Sequence, residues 1–302
     1  MIVDCAIIGG GPAGLSAALV LGRARRSVLL IDDHKPRNAV TTAGHGYLTR
    51  DGIAPNEFRR MAREEASGYP TVRLRQGRVM TVESFPGRFR LRTEAGGTAE
   101  ARTLLLAAGL KEQLPEIPGL KELYGSSLFN CPYCDGWELR DAPLVTVSTS
   151  NNLFHQAKLL LGWSRDLLVC THGQGQLSGQ QQQALETHGV KIMRSRIAAL
   201  EGSDGQLKAV LFEDGTRIAR SGGFVTPEAM LGTPLGAQLG CAHDAVGAIM
   251  VDGYGRTTVP GVYAAGDTSG MSPSQVVAAA ASGNRAAFGI GGDLAEIDFG
   301  GM

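Results

Sequence analysis

"VDCAIIGGGPAGLSAALVLGRARRSVLLIDD", residues 3–33, passes from an apolar run into glycines at 9, 11 and 14, then through small and aliphatic residues to a second apolar run ending at Asp32. In the G-x-G-x-x-G pattern, Gly9 allows the tight turn, Gly11 lets a pyrophosphate approach the backbone, and Gly14 lets helix pack closely on strand. Pro12 and Ala13 open the helix, whose N-terminal N–H groups then face the phosphates. Asp32 stands where an acid accepts a hydrogen bond from the adenosine ribose. In a chain with 42 glycines the pattern alone says little. Set between strand and helix, with the acid correctly spaced, it predicts the first half of a Rossmann-type dinucleotide-binding unit.

The remaining bounds are consistent with an enzyme of ordinary composition. The 302 residues suffice for two domains at about 100–200 residues each. Lys plus Arg and Asp plus Glu number 29 each, so no net field draws the chain to nucleic acid or to an anionic membrane. The start, "MIVDCAIIGGGPAG", lacks a basic n-region and breaks into glycines, so neither a signal peptide nor a spanning helix is expected. The expected location is cytoplasmic.

"NCPYCDGWELRD", residues 130–141, sets Cys131 and Cys134 two residues apart and adds Asp135. A zinc site would need a second ligand pair, and the other cysteines, 5, 170 and 241, are single. No metal is expected. Cys5 and Cys170 lie in apolar runs and, with Cys241, read as core. A permanent disulfide is disfavoured in a cytoplasmic protein, which leaves a redox dithiol as the preferred reading. A carboxyl beside such a pair can shuttle the protons that thiol exchange requires.

Far downstream, "TTVPGVYAAGD", residues 257–267, reads as a turn, a short strand and an acid at its end, Asp267. "SPSQVVAAAASGNRAA" follows, with Ser272 or Ser274 as N-cap candidates and small residues suited to close packing. These segments, together with "CPYCDG", resemble the thioredoxin-reductase-like flavoproteins, over nearly the whole chain. The resemblance implies FAD, with Gly266 and Asp267 at its ribityl chain and the helix starting at Gln275 and Val276 aimed at the flavin, where its dipole favours the reduced anion. "LLLAAGL", 104–110, is similar to the family's flavin-contact strand, with Ala108 where threonine is usual and Gly109 after it. Arg37 and Asn38 of "KPRN", and His45 of "HGYL", stand in segments like those lining the family's FAD. Also by resemblance, Cys134 is the thiol near the flavin, Cys131 the interchange thiol, and Asp135 the acid. Relatives are homodimers.

These motifs predict an α/β fold of two Rossmann-like three-layer dinucleotide-binding domains, the second inserted in the first. Residues 1–111 and 235–302 form the FAD-binding domain and 112–234 the insert, with "LPEIPGL" and "TPEAMLGTPLG" as hinge-like crossings. The insert holds a decayed internal repeat: "VSTSNNLFHQAKLLL", 147–161, aligns with "IGGGPAGLSAALVLG", 8–22. Ser148, Ser150 and Leu153 replace Gly9, Gly11 and Gly14. The next strand is followed by "THGQGQ", with neither arginines for a 2′-phosphate nor the acid that marks NAD. NADPH is therefore disfavoured. Ser148, Ser150, Asn151 and Asn152 could instead hold the pyrophosphate of a second FAD, with Phe154, Trp137 or Trp163 stacking on its ring.

The functional expectation is a flavin-dependent disulfide oxidoreductase, independent of NADPH, acting on a thioredoxin-like protein or small disulfide, with a ferredoxin-type donor. An NADPH-dependent reductase, a dithiol oxidase and a non-enzymatic redox sensor are the alternatives. The tail "GGDLAEIDFGGM" reads as a mobile terminus, with Phe299 laid over the flavin of either subunit as the alternative.

Overall fold

The computed structural model describes residues 2–148, 152–174, 176–270 and 273–300. The chain begins with β1 (Ile2–Ile8), α1 (Pro12–Arg23), β2 (Val28–Asp32), α2 (Pro55–Ser67), β3 (Val72–Gln76), β4 (Val79–Phe85), β5 (Arg88–Thr93) and β6 (Thr98–Leu106). It continues through β7 (Leu110–Gln113), α3 (Leu120–Leu123), β8 (Leu128–Phe129), α4 (Pro132–Asp135), β9 (Leu144–Val147), α5 (Leu153–Leu160), β10 (Leu167–Cys170), α6 (Gly179–Thr187) and β11 (Lys191–Met193). The last elements are β12 (Ile197–Ser203), β13 (Gln206–Phe212), β14 (Arg217–Ala219), β15 (Gly222–Val225), β16 (Glu228–Leu231), α7 (Leu235–Gln238), β17 (Val262–Ala264) and α8 (Val276–Gly300). Two compact units result: Met1–Ala39 with Gly46–Lys111 and Met230–Met302, and Val40–His45 with Glu112–Ala229.

The first unit is a sheet in the order β3-β2-β1-β6-β5-β4, with β17 also paired to β6. Strands β1, β2, β3, β6 and β17 run parallel, and β4 and β5 add an antiparallel extension. All five residues of β2 are buried, as expected of a strand covered on both faces. One face buries Cys5, Ile7 and Leu30 with Leu15 and Leu21 of α1 and Ile290 of α8. The other buries Ala6, Ile8, Ile31 and Leu104, following the two-residue alternation of strand side chains.

The second unit repeats the scheme in a fully parallel sheet, β11-β10-β9-β15-β8. Val145, Val147, Leu168 and Cys170 point into one core, and Leu144, Leu167 and Val169 into the other, beneath α5. A three-stranded antiparallel sheet, β12-β13-β14, completes it. The glutamine run forms α6, begun by a capping box between Ser178 and Gln181.

Two expectations are revised. The crossing at 226–236 is not merely a hinge, since β16 pairs with β7, and the two strands satisfy each other's backbone groups. The tail, expected to be mobile, is helical through Gly300. Its low helix propensity is overridden by tertiary contacts: Leu294 is buried in the core, and Asp298 pairs with Arg26 and Arg102. Phe299 is exposed.

Candidate active site

In the first unit, the β1–α1 junction forms a cradle of backbone. Gly9, at φ +112°, lies where a Cβ would sit 2.3 Å from the Ala107 carbonyl oxygen, and a Cβ on Gly14 would sit 1.9 Å from that of Gly9. Gly11, the N-cap of α1, faces open space. The helix begins at Pro12 with no side-chain cap, so its first N–H groups are presented to whatever approaches Gly11. Asp32 is buried at the end of β2. Its Oδ1 accepts from the Gly10 N–H at 3.0 Å, and its Oδ2 lies 3.2 Å from Arg63 Nη1 and 3.5 Å from Arg59 Nη2. The two arginines, four residues apart on α2, went unnoticed in the sequence because only the fold brings that helix to β2.

The downstream motif joins the same unit. Asp267 accepts from Arg37 Nη2 at 2.9 Å, bringing together two residues expected at one ligand. Gly109 N–H donates to Thr268 Oγ1 at 2.8 Å and Gly266 N–H to Ser282 Oγ at 3.0 Å, which fixes the β6 and β17 ends side by side. A Cβ on Gly266 would lie 2.9 Å from that of Ala13. Asn38 belongs to the short 3-10 turn at Arg37–Val40, Ala108 follows β6, and Gln275 accepts from Ala279 N–H at the start of α8. Of the N-cap candidates, Ser272 lies outside the described residues. The open backbone at Gly11, the uncapped helix and the acid at β2 fit the pyrophosphate and ribose of a dinucleotide.

In the second unit, Cys131 and Cys134 form a disulfide, with Cα atoms 5.3 Å apart. Pro132 opens the single turn of α4, suited by its fixed φ, and Cys134 and Asp135 N–H groups donate to the Cys131 carbonyl. Asn130 Nδ2 and Tyr124 OH both donate to Glu112, each at 2.7 Å, tying the approach to the dithiol. Tyr133 packs edge-on against Trp163 at 5.4 Å. Gly136 has no room for a side chain, since a Cβ would meet the Pro132 carbonyl at 2.4 Å.

Burial raises Asp135 to about 6, opposed by the positive charge of His45 and helped by the negative charge of Glu138. A carboxyl so placed changes charge within the range where thiol exchange operates. His45, expected in a flavin-lining segment, groups with this unit and lies 3.7 Å from Glu138. The remaining cysteines, 5, 170 and 241, are free and buried. Burial pushes Cys5 and Cys170 up to about 12, so neither supplies a thiolate near neutrality. Among the described residues no group of three or more His, Cys, Asp or Glu is placed to hold a metal, and no helix is long and apolar enough to cross a membrane.

The decayed repeat can be located in part. Ser148 is buried, with its N–H donating to the Cys170 carbonyl at 3.4 Å. Ser150 and Asn151 lie outside the described residues, Asn152 is exposed, and Leu153 is fully buried against the core under α5. After β10, His172 Nδ1 accepts from the Ile197 N–H at 3.0 Å, turned toward the protein.

A chain with paired parallel α/β units, a glycine cradle in one and a dithiol in the other has the parts of a flavin-linked disulfide oxidoreductase. Residues 3–283 match the Pyridine nucleotide-disulphide oxidoreductase family, and the chain belongs to it. It is 33% identical to thioredoxin reductase tcpT of Claviceps purpurea, across 89% of this chain and 88% of that one. TrxB from Bacillus anthracis superposes with a TM-score of 0.94 at 41% identity, covering 98% and 99% of the two chains. HlmI does so with a TM-score of 0.94 at 37% identity, covering 99% and 95%. The protein is thus a thioredoxin-reductase-like, FAD-dependent disulfide oxidoreductase.

Proposed function

We propose that this oxidoreductase works without NADPH, exchanging electrons between FAD and the Cys131–Cys134 pair, and between that pair and a thiol or disulfide partner. Bound FAD supplies two-electron storage. Gly9, Gly11 and Gly14 would receive its pyrophosphate, Asp32 its ribose, and Arg37, Asn38, Asp267 and the Gln275–Val276 helix start its flavin half, while Asp135 moves protons to and from the dithiol. The observation that carries the reading is Leu153, buried where close helix–strand approach would require glycine. Its support is the absence of arginine from 171–178. Anaerobic mixing with NADPH tests it: the flavin should stay oxidised, and rapid bleaching would restore an NADPH-dependent reductase.

A second reading runs the exchange in reverse. A chain that takes no hydride can draw electrons from the substrate dithiol itself, closing its disulfide and reducing dioxygen to peroxide, one peroxide per disulfide. Peroxide formed on aerobic feeding with dithiols would favour it, whereas turnover with a reduced ferredoxin-type donor would favour the reductase with a thioredoxin-type partner. A second FAD at Ser148–Asn152 belongs to the same reading, and the flavin-to-protein ratio of denatured protein tests it: two per chain supports it, and one per chain removes it. The exposed apolar side chains of α8, Phe288, Ile297 and Phe299, support a homodimer, and a cytoplasmic location is part of the same reading.

A further inference from the structure

Two arginines converge on one buried carboxylate at the end of β2. Arg59 and Arg63 stand about one turn apart on α2. Arg63 Nη1 donates to Asp32 Oδ2 at 3.2 Å, and Arg59 Nη2 lies 3.5 Å from the same oxygen. Oδ1 accepts from the Gly10 N–H at 3.0 Å. A Cβ on Gly10 would sit 2.7 Å from the carboxyl carbon, so the group is wedged between loop and helix. His34 Nε2, at 3.9 Å from Oδ2, is beyond hydrogen-bond reach. Arg59 itself is 9% exposed, and its Nε is enclosed by protein with no hydrogen-bond partner among the described residues. Burying a guanidinium is costly unless an anion offsets it, and Asp32 is the anion it meets. Helix stability does not call for it, since Arg60 makes the surface pairs with Glu57 and Glu64.

We infer that Arg59 and Arg63 are positioning residues of the FAD site, which hold the Asp32 carboxylate against Gly10 so that it meets the adenosine ribose already oriented. The inference rests on Asp32 being the ribose acceptor. A carboxylate has about four acceptor positions, so the Gly10 bond and the guanidinium contacts leave capacity for a ribose hydroxyl. A side chain fixed beforehand loses no rotamer freedom when that hydroxyl arrives. The arginines act through the acid: Arg59 Nε is enclosed by protein rather than open to the crevice, and both guanidiniums are directed at Oδ2.

A positioning role and a direct contact are separated by a double-mutant cycle on FAD affinity, measured by titrating the full-length apoprotein with FAD and following the flavin fluorescence. Arg63→Gln should weaken binding about tenfold, the effect of one charge-assisted hydrogen bond lost. Arg63→Lys, which keeps a cation on the same stem, should recover part of that loss. Arg59→Met, which keeps the apolar stem packed and removes the charge, should weaken binding in the same sense. Asp32→Asn should cost at least as much as Arg63→Gln. Adding Arg63→Gln to Asp32→Asn should then cost about twofold or less, because the arginine has no acid left to position. Native affinity in both Arg63→Gln and Arg59→Met overturns the inference. So does a tenfold loss from Arg63→Gln that persists in the Asp32→Asn background, which would mean that the arginine touches the cofactor itself. If Asp32→Asn binds FAD as tightly as the native chain, the placement of Asp32 at the ribose falls, and the inference with it.

Discussion

The two βαβ crevices of this chain share one plan and differ at the residue where helix meets loop. In the first, α1 starts at Pro12, two residues before Gly14, and that glycine touches the Gly9 carbonyl so closely that a Cβ would sit 1.9 Å from its oxygen. In the second, α5 starts at Leu153, the residue aligned with Gly14, and its side chain is buried beneath the helix. One helix end approaches the loop backbone and leaves Gly11 open; the other contributes a leucine to the core. The sheet orders remain equivalent, β3-β2-β1-β6 against β11-β10-β9-β15. The layers therefore survive a change of residue at the helix start, because the strands hold them and the glycines only shape the gap.

The most forceful way to break the comparison is to give the first crevice the second's residue. Gly14→Leu would drive a side chain into the Gly9 carbonyl, and overpacking against backbone costs about 3 kcal/mol or more, roughly 100-fold in an equilibrium constant. The protein should emerge from gel filtration without flavin or fail to fold. Full flavin content in the purified variant would mean that the close approach at Gly14 is dispensable.

Leu153→Ala sharpens the other side. Truncating a buried leucine leaves a cavity and should cost about 2–5 kcal/mol of stability, read as a lower urea midpoint with unchanged slope. Flavin content should be unaffected, and NADPH should still fail to bleach it, since the missing arginines are not restored. Flavin bleaching by NADPH in this variant would show that Leu153 alone closed the crevice.

A smaller effect is expected at Asp267, the acid proposed to face the flavin. Asp267→Ala removes the acceptor of the Arg37 bond and, on the proposed reading, one polar contact to the cofactor, and a hydrogen bond to a charged group contributes about 1.5–3 kcal/mol. FAD should bind roughly tenfold or more weakly by titration of the apoprotein. Unchanged affinity would remove Asp267 from the site.

Much of this was legible in residues close in sequence. Gly9, Gly11, Gly14 and Asp32 announce a cradle because their spacing is set by a single βαβ turn, and Cys131, Cys134 and Asp135 announce a redox pair because four residues on one helical turn must be neighbours. What is set by the fold alone was not legible. Arg59 and Arg63 meet Asp32 only because α2 returns to the β2 end, and Glu112 holds Asn130 from the preceding crossing. Glu138 looks like an ordinary surface acid until His45, from a distant loop, is placed 3.7 Å away. The tail misled because Gly291, Gly292 and Gly300 lower helix propensity and face open space, while the helix is held by the buried Leu294 and by Asp298 with Arg26 and Arg102.

The finest comparison sets the second unit's helix start at Leu153 against its dithiol. Leu153 contributes to the core, yet the same unit carries a half-buried carboxyl raised to about 6 by desolvation, an arrangement that opposes folding once the group ionises. A raised folded-state value means that the native protein holds this proton more tightly than the unfolded chain does. Its contribution is therefore fully present below the ordinary carboxylate range, near 4, and is lost as pH rises through about 6. Above that, Asp135 is a net cost. Asp135→Asn should accordingly gain about 1 kcal/mol at pH 8, after allowance for solvent screening, and little at pH 4. Paired urea melts at the two pH values measure it. Equal effects at both would mean that the carboxyl titrates like a surface group, which would remove the stability cost that sets it apart from the rest of its domain.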